Sequence, residues 1–266
     1  MGKTGSAGSP GTHASPISDY FAATRRPIYS ILASAPFFIA YELGVIFLLS
    51  KQPAADRTLN KAAVVLQVLG SLLGQHAAYI LPVAVGMALL FFLHWKERQA
   101  SSRKGVPAPG LRLRYLPWMY AESLLLSLPL HLLLNEMDRG LALSAAGGQN
   151  SRGWLFQITT FCGAGAYEEL LFRLFMFTGF FWMARALKLE KLPAWILAAA
   201  VSSVVFAVFH NEGNPLSPAF SPIFFGFAMI AGIYLAAICH FRSFGTAVAT
   251  HASYDIMAPL MAFFHG

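Results

Sequence analysis

The sequence predicts an all-α fold, a polytopic transmembrane helix bundle of about seven spans with bounds of six and eight. Three observations lead there. Of 266 residues, 56% are hydrophobic and only 12% charged, whereas a soluble domain carries about 25% charged residues. The apolar runs are far longer than the roughly ten residues of a barrel strand, which leaves helices as the spanning element. The basic residues, which set a formal charge of +7 and a pI near 9.6, sit in short loops between the runs, where the positive-inside rule puts them. That placement rejects the nucleic-acid partner a basic chain invites.

The elements follow in order. Residues 1–26 are rich in Gly, Ser, Ala, Thr and Pro and end in Arg25-Arg26. They read as a disordered cytoplasmic N-terminal tail. Residues 27–153 read as N-terminal transmembrane helices. The run 28–49 is too long for a signal-peptide core and contains Glu42, so it is the first span. The run 62–95 is too long for one simple span; it is expected to begin at the membrane surface and cross from about residue 76. Residues 96–114 form the most basic loop, and 116–134 the third span, carrying Glu122.

Residues 154–187 are a long apolar run holding Tyr167-Glu168-Glu169-Leu170-Leu171-Phe172-Arg173. Gly163-Ala164-Gly165-Ala166 is expected to break it into a lead-in and a motif helix from Tyr167. Spans at 194–210, 223–240 and 245–264 complete the chain. Cys162 and Cys239 lie in or beside these runs and read as packing residues, with no disulfide. With the N-terminus in the cytoplasm, most of the 19 Lys and Arg residues fall on the inner side. The expected location is a bacterial inner (plasma) membrane.

Polar groups inside the apolar runs carry the functional reading. Of the 12 acids, Glu42, Glu122, Glu168, Glu169 and Asp255 lie within spans, against Arg173 alone among the cations. A charged side chain at the bilayer centre costs about 2.5–3.5 kcal/mol on insertion scales. These groups must therefore face a protein interior or a wet cavity. Glu169 and Arg173 are four apart and share a helix face, with the acid N-terminal to the base. Glu168 points elsewhere and has no basic partner on its own helix. An unpaired buried acid is a poor stabiliser and a good catalytic group. His210 closes one late span. His251 lies on another, with Asp255 one turn on. A lone intramembrane His is often only a helix-to-helix hydrogen bonder, but these two can converge on Glu168. An acid and two histidines can activate a water and steady an oxyanion, or bind a divalent metal that does so.

The order Glu-Glu-x-x-x-Arg, Phe-x-x-x-His, His-x-x-x-Asp over residues 154–264 resembles the CAAX-protease and bacteriocin-processing enzyme (CPBP) superfamily of intramembrane proteases, which includes the type II CAAX prenyl endopeptidase. The resemblance implies a catalytic segment over 154–266 and an integral-membrane endopeptidase. Glu168 with His210 would deprotonate the attacking water. Glu169 and Arg173 would support them, and His251 with Asp255 would stabilise the oxyanion. Asp255 stands where the best-known members carry Asn, and an ionised Asp cannot donate to an oxyanion. Asp255 is therefore expected to orient His251 instead. No cofactor is expected, with zinc on Glu168, His210 and His251 as the alternative. The expected partners are a membrane-associated protein or peptide substrate and the lipid bilayer. A third reading is a non-catalytic transport or binding protein whose acids line an ion path. It lacks support from any inverted repeat or paired broken helices. Because His210 ends a span running outward, the site is expected in the non-cytoplasmic half.

Overall fold

The computed structural model describes residues 15–48, 60–72, 74, 77–103, 110–141, 154–211 and 219–265, and among them every regular element is a helix. The elements are α1 (Pro16–Thr24), α2 (Pro27–Phe47), α3 (Lys61–Ser71), α4 (Ala77–Arg103), α5 (Tyr115–Leu141), α6 (Trp154–Gly163), α7 (Thr178–Ala186), α8 (Lys191–His210), α9 (Pro222–Phe241) and α10 (Phe244–His265). The all-α expectation holds. By length and apolarity, α2, α8 and α9 each suffice to cross a membrane.

Two local expectations change. The tail expected over 1–26 gives way to helix at Pro16, which sits at the first position of α1 behind a Ser15 cap that accepts from the Ser18 amide at 3.2 Å. The tail-like composition belongs to residues 1–14, outside the described residues. The helix α1 is instead tied down by aromatic and polar contacts. The Tyr20 hydroxyl donates to Glu122 Oε2 at 2.6 Å, and Arg242 Nη2 reaches Thr24 Oγ1 at 3.1 Å. Burial first, and then that bond to Glu122, raises the Tyr20 pKa, so the hydroxyl stays a donor.

The second change concerns the expected break at residues 163–166. No break occurs. Between α6 and α7 the chain stays helical through wide, π-type turns, Ala164–Glu168 and Leu170–Phe177, with right-handed helical φ and ψ at Gly163, Glu169 and Phe177. At the far end the Thr178 hydroxyl and amide both reach the Arg173 carbonyl, five residues back. The glycines serve close approach rather than a turn. A Cβ on Gly165 would lie 2.7 Å from the backbone nitrogen of Ala252, and one on Gly163 would enter the Tyr41 ring. The sequence cue was glycine's freedom; the property used here is its size.

That approach lets α10 pass through the middle of the bundle. Residues Thr246 to Ala252 are consecutively buried, so this stretch meets protein on every side. It packs against α2, α5, α6, α9 and the first wide turn. The 62–95 run divides into two helices, α3 and α4; the short α3 packs on α4 and buries Ala62, Ala63 and Leu66.

Most of the described cations gather at one end of the bundle, where α1, the C-termini of α4, α7 and α9, and the N-termini of α5, α8 and α10 meet. Arg26 pairs with Glu97 at 2.8 Å, and the Arg112 amide donates to the Tyr29 hydroxyl at 2.8 Å. Arg242 clasps Glu122, with Nη2 at 2.6 Å from Oε2. Glu122, an acid without a cation in its own run, is thus neutralised from the end of α9. Glu42 accepts the Tyr167 hydroxyl.

Candidate active site

The wide-turn segment holds Glu168, Glu169 and Arg173, and all three are buried. Arg173 is 1% exposed. A guanidinium so placed needs partners on several sides. It has them: Nη1 lies 3.2 Å from Glu169 Oε1, Nη2 lies 3.4 Å from the Gly232 carbonyl of α9, and the Phe206 ring of α8 lies under it at 4.3 Å. The sequence pairing of Glu169 with Arg173 is therefore present, and it also ties α8 and α9 to the motif.

His251 of α10 stands between the two adjacent glutamates. Its Nδ1 is 2.8 Å from Glu169 Oε1. A carboxylate paired with arginine accepts, so Nδ1 carries the proton and Nε2 is turned toward Glu168 Oε2, 3.8 Å away. Asp255 Oδ2 lies 3.7 Å from that same Nε2. Glu169 thus meets Nδ1 of His251, while Asp255, expected to orient that ring, lies with Glu168 on its Nε2 side. One helical turn brings Asp255 near the ring but to its far nitrogen, and helix spacing alone does not say which.

His210, the last residue of α8, is held by its other nitrogen. Nδ1 lies 2.8 Å from the Phe206 carbonyl, which can only accept, so Nδ1 is protonated. Nε2 then faces Glu168 Oε2 at 3.0 Å. The His210 side chain is 28% exposed, against 8% for Glu168, so His210 forms the rim and Glu168 the floor.

The other oxygen, Glu168 Oε1, accepts from Asn60 Nδ2 at 2.9 Å. Asn60 was missed by the sequence reading. Its only signal is an Asn before a Lys-Ala-Ala helix start, which announces a cap and no more. Glu168 Oε2 is closed off from solvent and lacks an aligned hydrogen-bond donor among the described residues. An unsatisfied buried carboxylate oxygen flanked by two imidazole nitrogens is suited to hold and deprotonate a water.

The structure thus brings together Glu168, Glu169, Arg173, His210, His251 and Asp255 from the wide turns, α8 and α10. The two cysteines are free thiols. No set of three His, Cys, Asp or Glu side chains among the described residues is arranged to hold a metal ion.

Residues 150–257 match the family model described as Type II CAAX prenyl endopeptidase Rce1-like. No curated protein and no solved structure matches the chain. With the apolar helices, the match supports an integral-membrane protein. It spans every motif residue from Glu168 to Asp255, so it is this C-terminal segment that is similar to the type II CAAX prenyl endopeptidases.

Proposed function

We propose that the chain is an intramembrane endopeptidase that cleaves membrane-associated protein or peptide substrates with a glutamate-activated water. One observation carries the reading: Glu168 Oε2, buried and without an aligned donor, is faced by His210 Nε2 at 3.0 Å and His251 Nε2 at 3.8 Å from two other helices. A water that reaches this pair from the exposed His210 rim loses a proton to it as it attacks the scissile carbonyl. The carbonyl oxygen, turning anionic, accepts from Nε2 of His251 in its doubly protonated form, while Nδ1–H stays on Glu169. The proton held by Glu168 and His210 then passes to the leaving amine, and the peptide bond breaks. Glu169 fixes the His251 ring, and Arg173 pairs with Glu169 from one turn on.

The family description makes a prenylated peptide ending in a CAAX sequence the first substrate to test. Purified protein is expected to release the terminal tripeptide, and Glu168→Gln to lower kcat by about 10²–10⁴-fold, the usual worth of a general base. Comparison of new protein termini in cells carrying wild-type or Glu168→Ala protein identifies natural substrates. Unchanged termini together with no cleavage by the wild-type protein would sink the proposal in favour of a transport or binding role, and a fully active Glu168→Gln would remove Glu168 as the general base. Loss of activity with a chelator, restored by zinc, would replace the metal-free mechanism by a zinc one on Glu168, His210 and His251.

A further inference from the structure

We infer that Asn60 is a positioning residue for Glu168, and that α3 holds it at the site; this rests on the reading of Glu168 as the water-activating group. The amide of Asn60 has no free choice of orientation. Its Oδ1 accepts from the amides of Ala62 at 2.9 Å and Ala63 at 3.2 Å, the first turn of α3. Backbone N–H groups only donate, so the oxygen belongs on that side and the NH₂ group faces Glu168. Nδ2 then donates to Glu168 Oε1 at 2.9 Å.

The consequence lies at the other oxygen. A glutamate side chain turns freely about its last bond, and its two oxygens are chemically equal. With Oε1 tied to Asn60, Oε2 is left facing His210 and His251. The bond selects which oxygen does the chemistry and fixes its direction. The anchor is firm: Asn60 is 8% exposed, Ala62 and Ala63 are 0% exposed, and α3 packs on α4 and on the wide turn that carries Glu168. Asn60 lies outside the matched residues 150–257, so the N-terminal part of the chain supplies a piece of the site.

The test uses full-length protein in detergent and a farnesylated peptide ending in a CAAX sequence. Asn60→Asp keeps the helix cap, since Asp and Asn cap equally well, but replaces the donor by an acceptor facing Glu168. The expected result is kcat lower by about 10–100-fold, the usual cost of losing such an outer support, with KM little changed. Activity recovers as pH falls, because a protonated Asp can donate again. The contact itself is read without turnover: Asn60→Asp lowers Tm, and Glu168→Gln in the double variant restores it. Should Asn60→Asp fail to accumulate, Asn60→Ser, which also caps α3 but cannot reach Oε1, is expected to lose kcat while keeping Tm. Wild-type kcat and pH profile with no Tm coupling overturns the inference and leaves the protease reading intact. Tm coupling with a fully active Glu168→Gln overturns the reading of Glu168 as the water-activating group, and the positioning role falls with it.

Discussion

Glu169 Oε1 lies 2.8 Å from Nδ1 of His251, so the supporting acid of the pair holds one side of the imidazole whose other side faces Glu168. This division of labour between adjacent carboxylates sets the first prediction. Glu169→Gln can present its NH₂ group to Nδ1 and force the opposite tautomer. Its kcat is expected to fall by about 10–100-fold. Asp255→Asn leaves the ring's anchor untouched and can donate toward the oxyanion; it is expected to stay within about 5-fold of wild type. Parallel kinetics on the two variants decide it, and the reverse order of damage would return the orienting role to Asp255.

Arg173 is predicted to matter for folding before chemistry. Its removal strands Glu169 inside the bundle, and breaking a buried pair costs about 3–5 kcal/mol. Arg173→Ala is expected to accumulate poorly and to show a lowered Tm in detergent. Arg173→Lys is not expected to rescue it, because one ammonium cannot serve Glu169, the Gly232 carbonyl and the Phe206 ring together. A stable, monodisperse but inactive Arg173→Ala would contradict this.

Gly165→Ala is predicted to force α10 away from the motif, because the new Cβ meets the backbone of Ala252, next to His251. Overpacking of this kind costs typically about 1–3 kcal/mol. Gly226→Ala is the control, since nothing lies within 4 Å of its added Cβ. Thermal unfolding of both, with peptide cleavage as the second readout, is expected to separate them: the first loses stability and activity, the second neither. Equal behaviour would mean that the helix seam does not depend on glycine.

Orientation is predicted from charge. The basic end of the bundle is expected to face the cytoplasm, which puts α3 and the rim residue His210 on the other side. In a variant lacking Cys162 and Cys239, a cysteine at Ser71 is expected to react with an impermeant maleimide on intact cells. One at Ser102 is expected to react only after permeabilisation. The opposite pattern inverts the topology and places the site near the cytoplasm.

Much of this site was legible because intramembrane polarity is expensive. Glu168, Glu169, Arg173, His210, His251 and Asp255 could be picked out as residues that an apolar run does not tolerate without partners, and spacing paired Glu169 with Arg173. What spacing cannot supply is contact between helices. Glu122 looked like an acid without a cation because Arg242 lies 120 residues away at the end of α9. Glu42 finds a hydroxyl, Tyr167, beside the motif itself. Asn60 hid in a loop, where a polar residue is no anomaly. Gly163 and Gly165 were misread because glycine marks both broken helices and crowded ones, and only the neighbours tell which.

The wide turns between Ala164 and Phe177 leave a lasting mark on everything downstream. Each such turn takes in an extra residue compared with an α-turn, so the phase of the helix is reset before α7 begins. A helical wheel drawn at 3.6 residues per turn across the whole rod therefore assigns wrong faces to α7. The same offset is a molecular fingerprint: a chain that kept the motif but lost one residue after Arg173 would hold its glutamates in place and rotate Phe180, Phe181 and Ala184 off their neighbours. The packing of α7 is thus tied to the length of one short segment, independently of its composition.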